Sequence, residues 1–223
     1  MSIRGEISAI VPVYNEEATV AQVVNDLLDL SLFREIVVVD DGSSDSTALQ
    51  LLPFFNRKEV FILINHRNQG KGYSVLKGLR SVTAPYVVLQ DADLEYPVSN
   101  IKRLAECFDC DMTVGVRNTN GQGLYVVSAA SFLANKIITR LMKVPDVMSG
   151  QRMLKTEFAR SLQLKPGRFE LETEITLKAL AKGAKIKFVP IDYYPRTEGK
   201  KIGFLDFLKI FKTYMSFKIS SLL

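Results

Sequence analysis

The chain has 223 residues, of which 47% are hydrophobic and 24% charged, with a formal net charge of +5. The apolar content excludes a disordered chain, and 13 Gly and 8 Pro exclude collagen-like or low-complexity architecture, so a single domain with a real core is expected. The excess charge is local: Arg196, Lys200, Lys201, Lys209, Lys212 and Lys218 face only Glu198 and Asp206 in the last stretch, and the rest is nearly neutral. That distribution argues against nucleic acid as a partner and for an anionic partner at the carboxyl end.

No run of apolar residues is long enough to cross a bilayer as a helix. The opening Met1-Ser-Ile-Arg-Gly-Glu6 leads straight into an apolar run without a secretory pattern, so a cytoplasmic location is expected. Cys107 and Cys110 form a lone Cys-x-x-Cys, and the only histidine, His66, lies far upstream. That is too few ligands for zinc, and the pair closes a predicted helix instead of opening one, so ordinary reduced thiols are expected. A single histidine also leaves little material for a Ser-His-Asp hydrolase.

In chain order, Ile7 to Val13 reads as a buried strand and Glu17 to Leu30 as a helix, with Val20, Val23, Val24, Leu27 and Leu28 at helical spacing. Glu35 to Val39 is a second strand, Ser46 to Phe54 a helix, and Val60 to Ile64 a third strand. Tyr73 to Ser81 is a helix, and Tyr86 to Leu89 a fourth strand. Branched-aliphatic strands alternating with helices predict a parallel sheet covered on both faces. Beyond it the pattern predicts a helix over Ile101 to Phe108, a strand over Met112 to Val116, a loop over Asn118 to Gly123 and a helix over Val126 to Leu141. Phe169 to Lys182 (helix), Lys185 to Val189 (strand) and Phe204 to Leu222 (helix) complete the reading. No repeat or linker interrupts the chain. It reads as one α/β unit over 1–203, with a nucleotide-binding half (1–95) and an acceptor half (96–203), followed by a terminal helix over 204–223.

Polar clusters close the first, second and fourth strands, which places Tyr14-Asn15-Glu16, Asp40-Asp41 and Asp91-x-Asp93 at one crevice outside the carboxyl edge of the sheet. Asp91 and Asp93 on an extended segment point to the same side, an arrangement that suits a divalent cation holding a diphosphate, and Glu95 is a candidate third oxygen ligand. Asp40 and Asp41 end a hydrophobic strand and could accept hydrogen bonds from a nucleobase or ribose, with Tyr14 over the base. The alternative is a helix cap, because Asp41-Gly-Ser-Ser-Asp-Ser-Thr47 is rich in capping residues, and both can hold together.

Four segments in order, Pro12-Val-Tyr-Asn-Glu16, Val38-Val-Asp-Asp-Gly-Ser-Ser-Asp-Ser-Thr47, Asn68-Gln-Gly-Lys-Gly72 and Asp91-Ala-Asp-Leu94, resemble the family 2 glycosyltransferases of the GT-A fold. Gly115-Val-Arg117, Asp146-Val-Met-Ser-Gly150 and Arg196-Thr-Glu-Gly-Lys-Lys-Ile202 look like the dolichyl-phosphate mannose synthase and polyprenyl-phosphate branch. The resemblance implies a GT-A, Rossmann-like mixed sheet flanked by helices. It implies that Pro12, Tyr14, Glu16 and Asp40, with Asp41 and Lys71, hold a nucleotide-sugar donor. Asp91, Ala92 and Asp93 would hold its diphosphate and a Mg²⁺ or Mn²⁺ ion, with Glu95 where the mannose synthases usually carry Gln. Arg117, Arg196 and Lys201 match basic residues that face the donor diphosphate or the acceptor phosphate, so Asp93, Arg117 and Arg196 are the expected catalytic set.

A polyprenyl or dolichyl phosphate acceptor is already an ionised nucleophile and needs no general base. A hydroxyl acceptor needs one, for which Asp146, Glu170, Glu172 and Glu174 are the candidates. A nucleotide-sugar-binding module without turnover is the reading from a different class, and the intact Asp91-x-Asp93 argues against it. In the terminal helix Asp206, Lys209, Thr213, Ser216 and Ser220 share one stripe, and Phe204, Phe207, Leu208, Phe211 and Met215 the other. This basic amphipathic pattern predicts peripheral docking on the cytoplasmic face of a membrane, against the alternative of a helix packed on the core.

Overall fold

The computed structural model describes residues 3–117, 136, 139, 140, 142–166 and 171–196. Strand β1 (Ile7–Val13) leads to helix α1 (Val20–Leu30), β2 (Phe33–Asp40), α2 (Thr47–Leu51) with a 3₁₀ turn over Leu52–Phe54, β3 (Val60–Ile64), α3 (Lys71–Ser81) and β4 (Tyr86–Leu89). Then come α4 (Asn100–Glu106), β5 (Met112–Arg117), β6 (Arg152–Lys155), α5 (Thr156–Ser161), α6 (Leu171–Ala181) and β7 (Ile186–Ile191). The seven strands form one sheet in the order β3-β2-β1-β4-β6-β5-β7. Strands β3, β2, β1 and β4 are mutually parallel, β6 is antiparallel to both of its neighbours, and β7 is parallel to β5.

Helices cover both faces of the sheet. Ala9, Val11 and Val13 of β1 pack with Val20, Val23 and Leu27 of α1 and with Ile101 and Leu104 of α4. The alternate residue Ile10, with Val37 and Val39, packs under Val75 and Leu79 of α3 and Leu171 and Ile175 of α6. The period-two alternation of a strand sends neighbouring residues into the two cores. Gly78 lets α3 lie close: a Cβ there would stand 2.7 Å from Ile10 Cγ2.

The first half of the chain follows the sequence pattern closely because continuous aliphatic runs report burial directly. Helix α1 starts at Val20 and not at Glu17, since Glu16 to Thr19 form a turn in which Thr19 and Val20 N–H groups both bond to the Glu16 carbonyl. Strand β6 and helix α5 lie where the pattern predicts no element. The four-residue Arg152-Met-Leu-Lys has neither an aliphatic run nor an alternation, and its Arg152 is fully buried. Of the helix predicted over Val126 to Leu141, residues 136, 139 and 140 are helical. The rest of it, the loop predicted over 118–123 and the terminal helix over 204–223 lie outside the described residues. Cys107 is half-buried and Cys110 buried, both as free thiols.

The strand order places a topological switch between β1 and β4: chain order runs from β1 outward to β3 on one side, then returns to β4 on the other. Such a reversal splays the connecting loops and opens a crevice at the carboxyl edge. The loops after β1 and β4 begin there with Tyr14 and Asp91.

Candidate active site

A cavity of about 640 Å³ opens at this edge. Of the predicted residues, Pro12, Tyr14, Glu16, Asp41, Lys71, Asp91, Ala92, Asp93, Glu95 and Arg117 line it. Arg196 does not line it, but its half-exposed side chain pairs with two residues that do, Glu16 at 3.0 Å and Asp93 at 3.3 Å. Lys201 lies outside the described residues.

The two aspartates that end β2 part company. Asp40 accepts hydrogen bonds from the Ser43 N–H (2.9 Å) and hydroxyl (2.6 Å), so it braces its own loop and does not line the cavity. This is a turn closed on Ser43 and not a helix cap, since α2 begins at the N-cap Ser46 with no side-chain capping bond, and the donor-side position expected for Asp40 is not seen. Asp41 accepts from Asn65 Nδ2 (2.7 Å) and from the N–H groups of Gln69 (3.0 Å) and Gly70 (2.6 Å). Gly70 has φ 98°, which glycine adopts without strain, and the turn that Asp41 holds delivers Lys71 into the cavity as the first residue of α3.

Lys71 Nζ bridges Asp91 at 2.6 Å and Glu172 at 2.7 Å. Burial alone would lower its affinity for a proton, but the two carboxylates outweigh it and hold the ammonium above its ordinary range. Glu172 responds in kind: burial pushes its carboxyl up, and Lys71 with Arg152 pulls it below the usual value. Asp93 behaves oppositely. Burial first, then Asp91 and Glu95, raise its carboxyl to about 7 against the pull of Arg196. Asp93, crowded by like charges, carries more negative charge than its surroundings relieve, and together with Asp91 it would suit a hard divalent cation such as Mg²⁺ or Mn²⁺.

Glu95 does not complete a three-carboxylate set. Its Oε2 accepts the Tyr193 hydroxyl (2.8 Å) and its Oε1 the Arg196 N–H (3.0 Å). Among the described residues no group of three His, Cys, Asp or Glu side chains gathers as a metal site. Arg117 is likewise committed: its Nε lies 2.7 Å and its Nη2 3.0 Å from the two oxygens of Asp146, and its guanidinium lies 5.3 Å from the Tyr193 ring centre.

Three features escaped the sequence reading. Tyr193 and Tyr96 pack at 5.0 Å between ring centres and wall the cavity, and the Tyr96 hydroxyl accepts the Gly150 N–H at 3.1 Å. Burial pushes the Tyr96 phenol up to about 12, so it stays protonated. Arg152 donates to the Glu172 carbonyl (3.0 Å), the Thr176 hydroxyl (3.2 Å) and the Ser149 carbonyl (2.6 Å), pinning the 147–150 loop to the start of α6. The only hint was position, two residues beyond the Asp146 to Gly150 segment.

Gly150 presses its backbone against Asp91, where a Cβ would come within 2.3 Å of Oδ2. Because the obstacle is the end of a side chain, Gly150→Ala is expected to displace the Asp91 carboxylate without unfolding the protein. Calorimetric titration with UDP or GDP in the presence of Mn²⁺ should show at least a tenfold loss of affinity, with a thermal midpoint within a few degrees of wild type. Unchanged affinity would remove Asp91 from the binding surface.

The model of the family described as glycosyl transferase family 2 matches residues 8–162. The chain belongs to that family. Among curated relatives of this glycosyltransferase, an uncharacterized protein of Methanocaldococcus jannaschii is 29% identical over 83% of this chain and 88% of its own length. A dolichol-phosphate mannosyltransferase of Pyrococcus furiosus is 27% identical over 87% of this chain and 58% of its own. An undecaprenyl-phosphate 4-deoxy-4-formamido-L-arabinose transferase of Proteus mirabilis is 32% identical over 60% of this chain and 44% of its own. The glycosyltransferase therefore spans about half the length of the two relatives with named activities. Glucosyl-3-phosphoglycerate synthase from Mycobacterium tuberculosis, solved with Mn²⁺, UDP and glucosyl-3-phosphoglycerate, superposes with a TM-score of 0.74 at 21% identity, covering 95% of this chain and 79% of that one. That likeness gives the glycosyltransferase the GT-A fold, an α/β mixed sheet with flanking helices.

Proposed function

We propose that this glycosyltransferase moves a hexose from a nucleotide-sugar to a polyprenyl or dolichyl phosphate at a membrane surface, with Mg²⁺ or Mn²⁺ held by Asp91 and Asp93. The observation that carries the acceptor class is the fate of the candidate bases. Asp146 is bound through both oxygens to Arg117, Glu172 is bound to Lys71, and Glu174 is paired with Lys178 at 2.7 Å and does not line the cavity. Glu170 lies outside the described residues. A carboxylate held by a cation is a weakened base, whereas a phosphate nucleophile needs none. The names of the Pyrococcus and Proteus relatives support the same acceptor class, and the mycobacterial complex supports a nucleotide diphosphate with a divalent cation.

A bound divalent cation would supply Lewis-acid stabilisation of charge on the departing diphosphate. The rest of the work falls to the chain's own groups. Pro12 and Tyr14 offer an apolar and aromatic surface to the nucleoside. Lys71 fixes the Asp91 carboxylate in place, and the Arg196 guanidinium, paired with Glu16 and Asp93, is the cation offered to the leaving oxygen or to an incoming phosphate. The Tyr96 and Tyr193 wall excludes water from the path between them. Lys201 and the basic amphipathic segment over 204–223 would add grip on an anionic lipid.

The test is a panel of GDP- and UDP-sugars offered with a short polyprenyl phosphate in anionic vesicles, beside soluble hydroxyl acceptors. A glycolipid product that requires Mg²⁺ or Mn²⁺ is expected. Transfer to a hydroxyl acceptor alone would overturn the acceptor, and unchanged transfer in chelator would overturn the metal.

A further inference from the structure

Glu95 lies two residues beyond Asp93, on a turn whose intervening residue, Leu94, has the left-handed φ of 61°. A branched side chain rarely adopts that conformation, and it persists only where surrounding contacts enforce it. The turn is held locally by the Glu95 N–H, which donates to Asp93 Oδ1 at 3.1 Å, and it also meets a segment a hundred residues away. The Glu95 carbonyl accepts the Tyr194 N–H at 2.9 Å, Oε1 accepts the Arg196 N–H at 3.0 Å, and Oε2 accepts the Tyr193 hydroxyl at 2.8 Å. Three consecutive bonds thus clamp residues 193–196 onto the turn that carries Asp91 and Asp93. The clamp sets where Arg196 goes, since its guanidinium reaches Glu16 at 3.0 and 3.1 Å and Asp93 at 3.3 Å from the backbone position that Glu95 fixes. Tyr193 is held on its other side by Tyr96 and Arg117, so the clamp is braced at both ends.

We propose that Glu95 is a positioning residue, not a metal ligand: it anchors the 193–196 segment so that Arg196 reaches Glu16 and Asp93 of the cavity lining. The proposal rests on the reading of Arg196 as the cation that meets phosphate there. Moving the Glu95 carboxylate to a metal would break the Arg196 N–H and Tyr193 bonds together and release the segment that carries Arg196. Glutamine keeps the clamp by a different route, because its amide oxygen accepts the Arg196 N–H and its amide nitrogen donates to the Tyr193 oxygen.

Four measurements on the full-length enzyme decide it. Hydrogen exchange at the Arg196 amide should speed up at least tenfold in Glu95→Ala and stay near wild type in Glu95→Gln; unchanged exchange in the alanine variant overturns the clamp. Mn²⁺ affinity in the presence of UDP should change by less than about threefold in Glu95→Ala, and a loss of tenfold or more makes Glu95 a ligand and overturns the proposal. Transfer should fall at least tenfold in Glu95→Ala and be largely recovered in Glu95→Gln, which a merely structural defect would not predict. The double variant Glu95→Ala/Arg196→Ala should be no slower than Arg196→Ala alone, and additive losses overturn the coupling. The exchange measurement uses no acceptor, so failure of wild-type transfer to polyprenyl phosphate counts against the functional reading only.

Discussion

Asparagine in place of Asp93 is expected to slow sugar transfer at least about a thousandfold, roughly 4 kcal/mol of lost transition-state stabilisation. The substitution keeps the volume and removes one negative charge from the pair that faces the diphosphate. It should not unfold the protein. Asp93 sits beside Asp91 and Glu95, and its burial and these like charges push its carboxyl up to about 7, so its charge is a cost to the folded state and not a prop. A thermal midpoint at or above the wild-type value, alongside the loss of activity, is the expected signature. Near-normal turnover would show that Asp93 neither holds the cation nor shapes the field around it, and would sink the proposed mechanism.

The second large effect concerns stability. Arg117→Met is expected to lower the unfolding free energy by about 3–5 kcal/mol in urea titrations, because it leaves Asp146 buried without its cation. The pair is bidentate, with side chains only 14% and 4% exposed, so solvent screens it weakly. Asp146 Oδ1 also accepts the Met148 N–H at 3.0 Å, which makes the carboxylate the organiser of the loop leading to Gly150 and Arg152. The double variant Arg117→Met/Asp146→Asn removes the stranded charge as well and should regain a large part of the loss. A deficit below about 1 kcal/mol in the single variant would mean that water reaches Asp146 and that the pair is a surface contact.

These two expectations separate the parts of the molecule that were legible in the chain from those that were not. Asp93 was legible. It follows an aliphatic strand whose burial is written in Val87-Val88-Leu89, and a polar pair at the end of such a strand must meet solvent or a ligand. Tyr14, Glu16 and Asp41 were placed in the same way, by their positions after β1 and β2, whereas Lys71 came only from the family resemblance of Asn68-Gln-Gly-Lys-Gly72. Arg117 was legible as a cation of the site, but its partner was not. Asp146 lies 29 residues away, and no local pattern tells which carboxylate will meet a given guanidinium. The same holds for Glu95, whose partners Tyr193 and Arg196 lie 98 and 101 residues away. Asp40 and Asp41 are adjacent and chemically identical, yet alternation along the strand turns one into its own loop and the other toward the cavity.

The sequence by itself therefore determined the order of the strands and helices in the first half, the parallel sheet with two covered faces, and the crevice at its carboxyl edge. Those follow from hydrophobic periodicity and short-range turn chemistry, which are properties of contiguous residues. Only the tertiary structure decided which charges are free to act. Arg152 is a buried brace, β6 runs antiparallel between β4 and β5, and each candidate base among the described residues is tied to a lysine or arginine. The physical reason is that a charge's role depends on desolvation and on partners brought together by folding, and contacts across 20 to 180 residues leave no periodic trace in the chain.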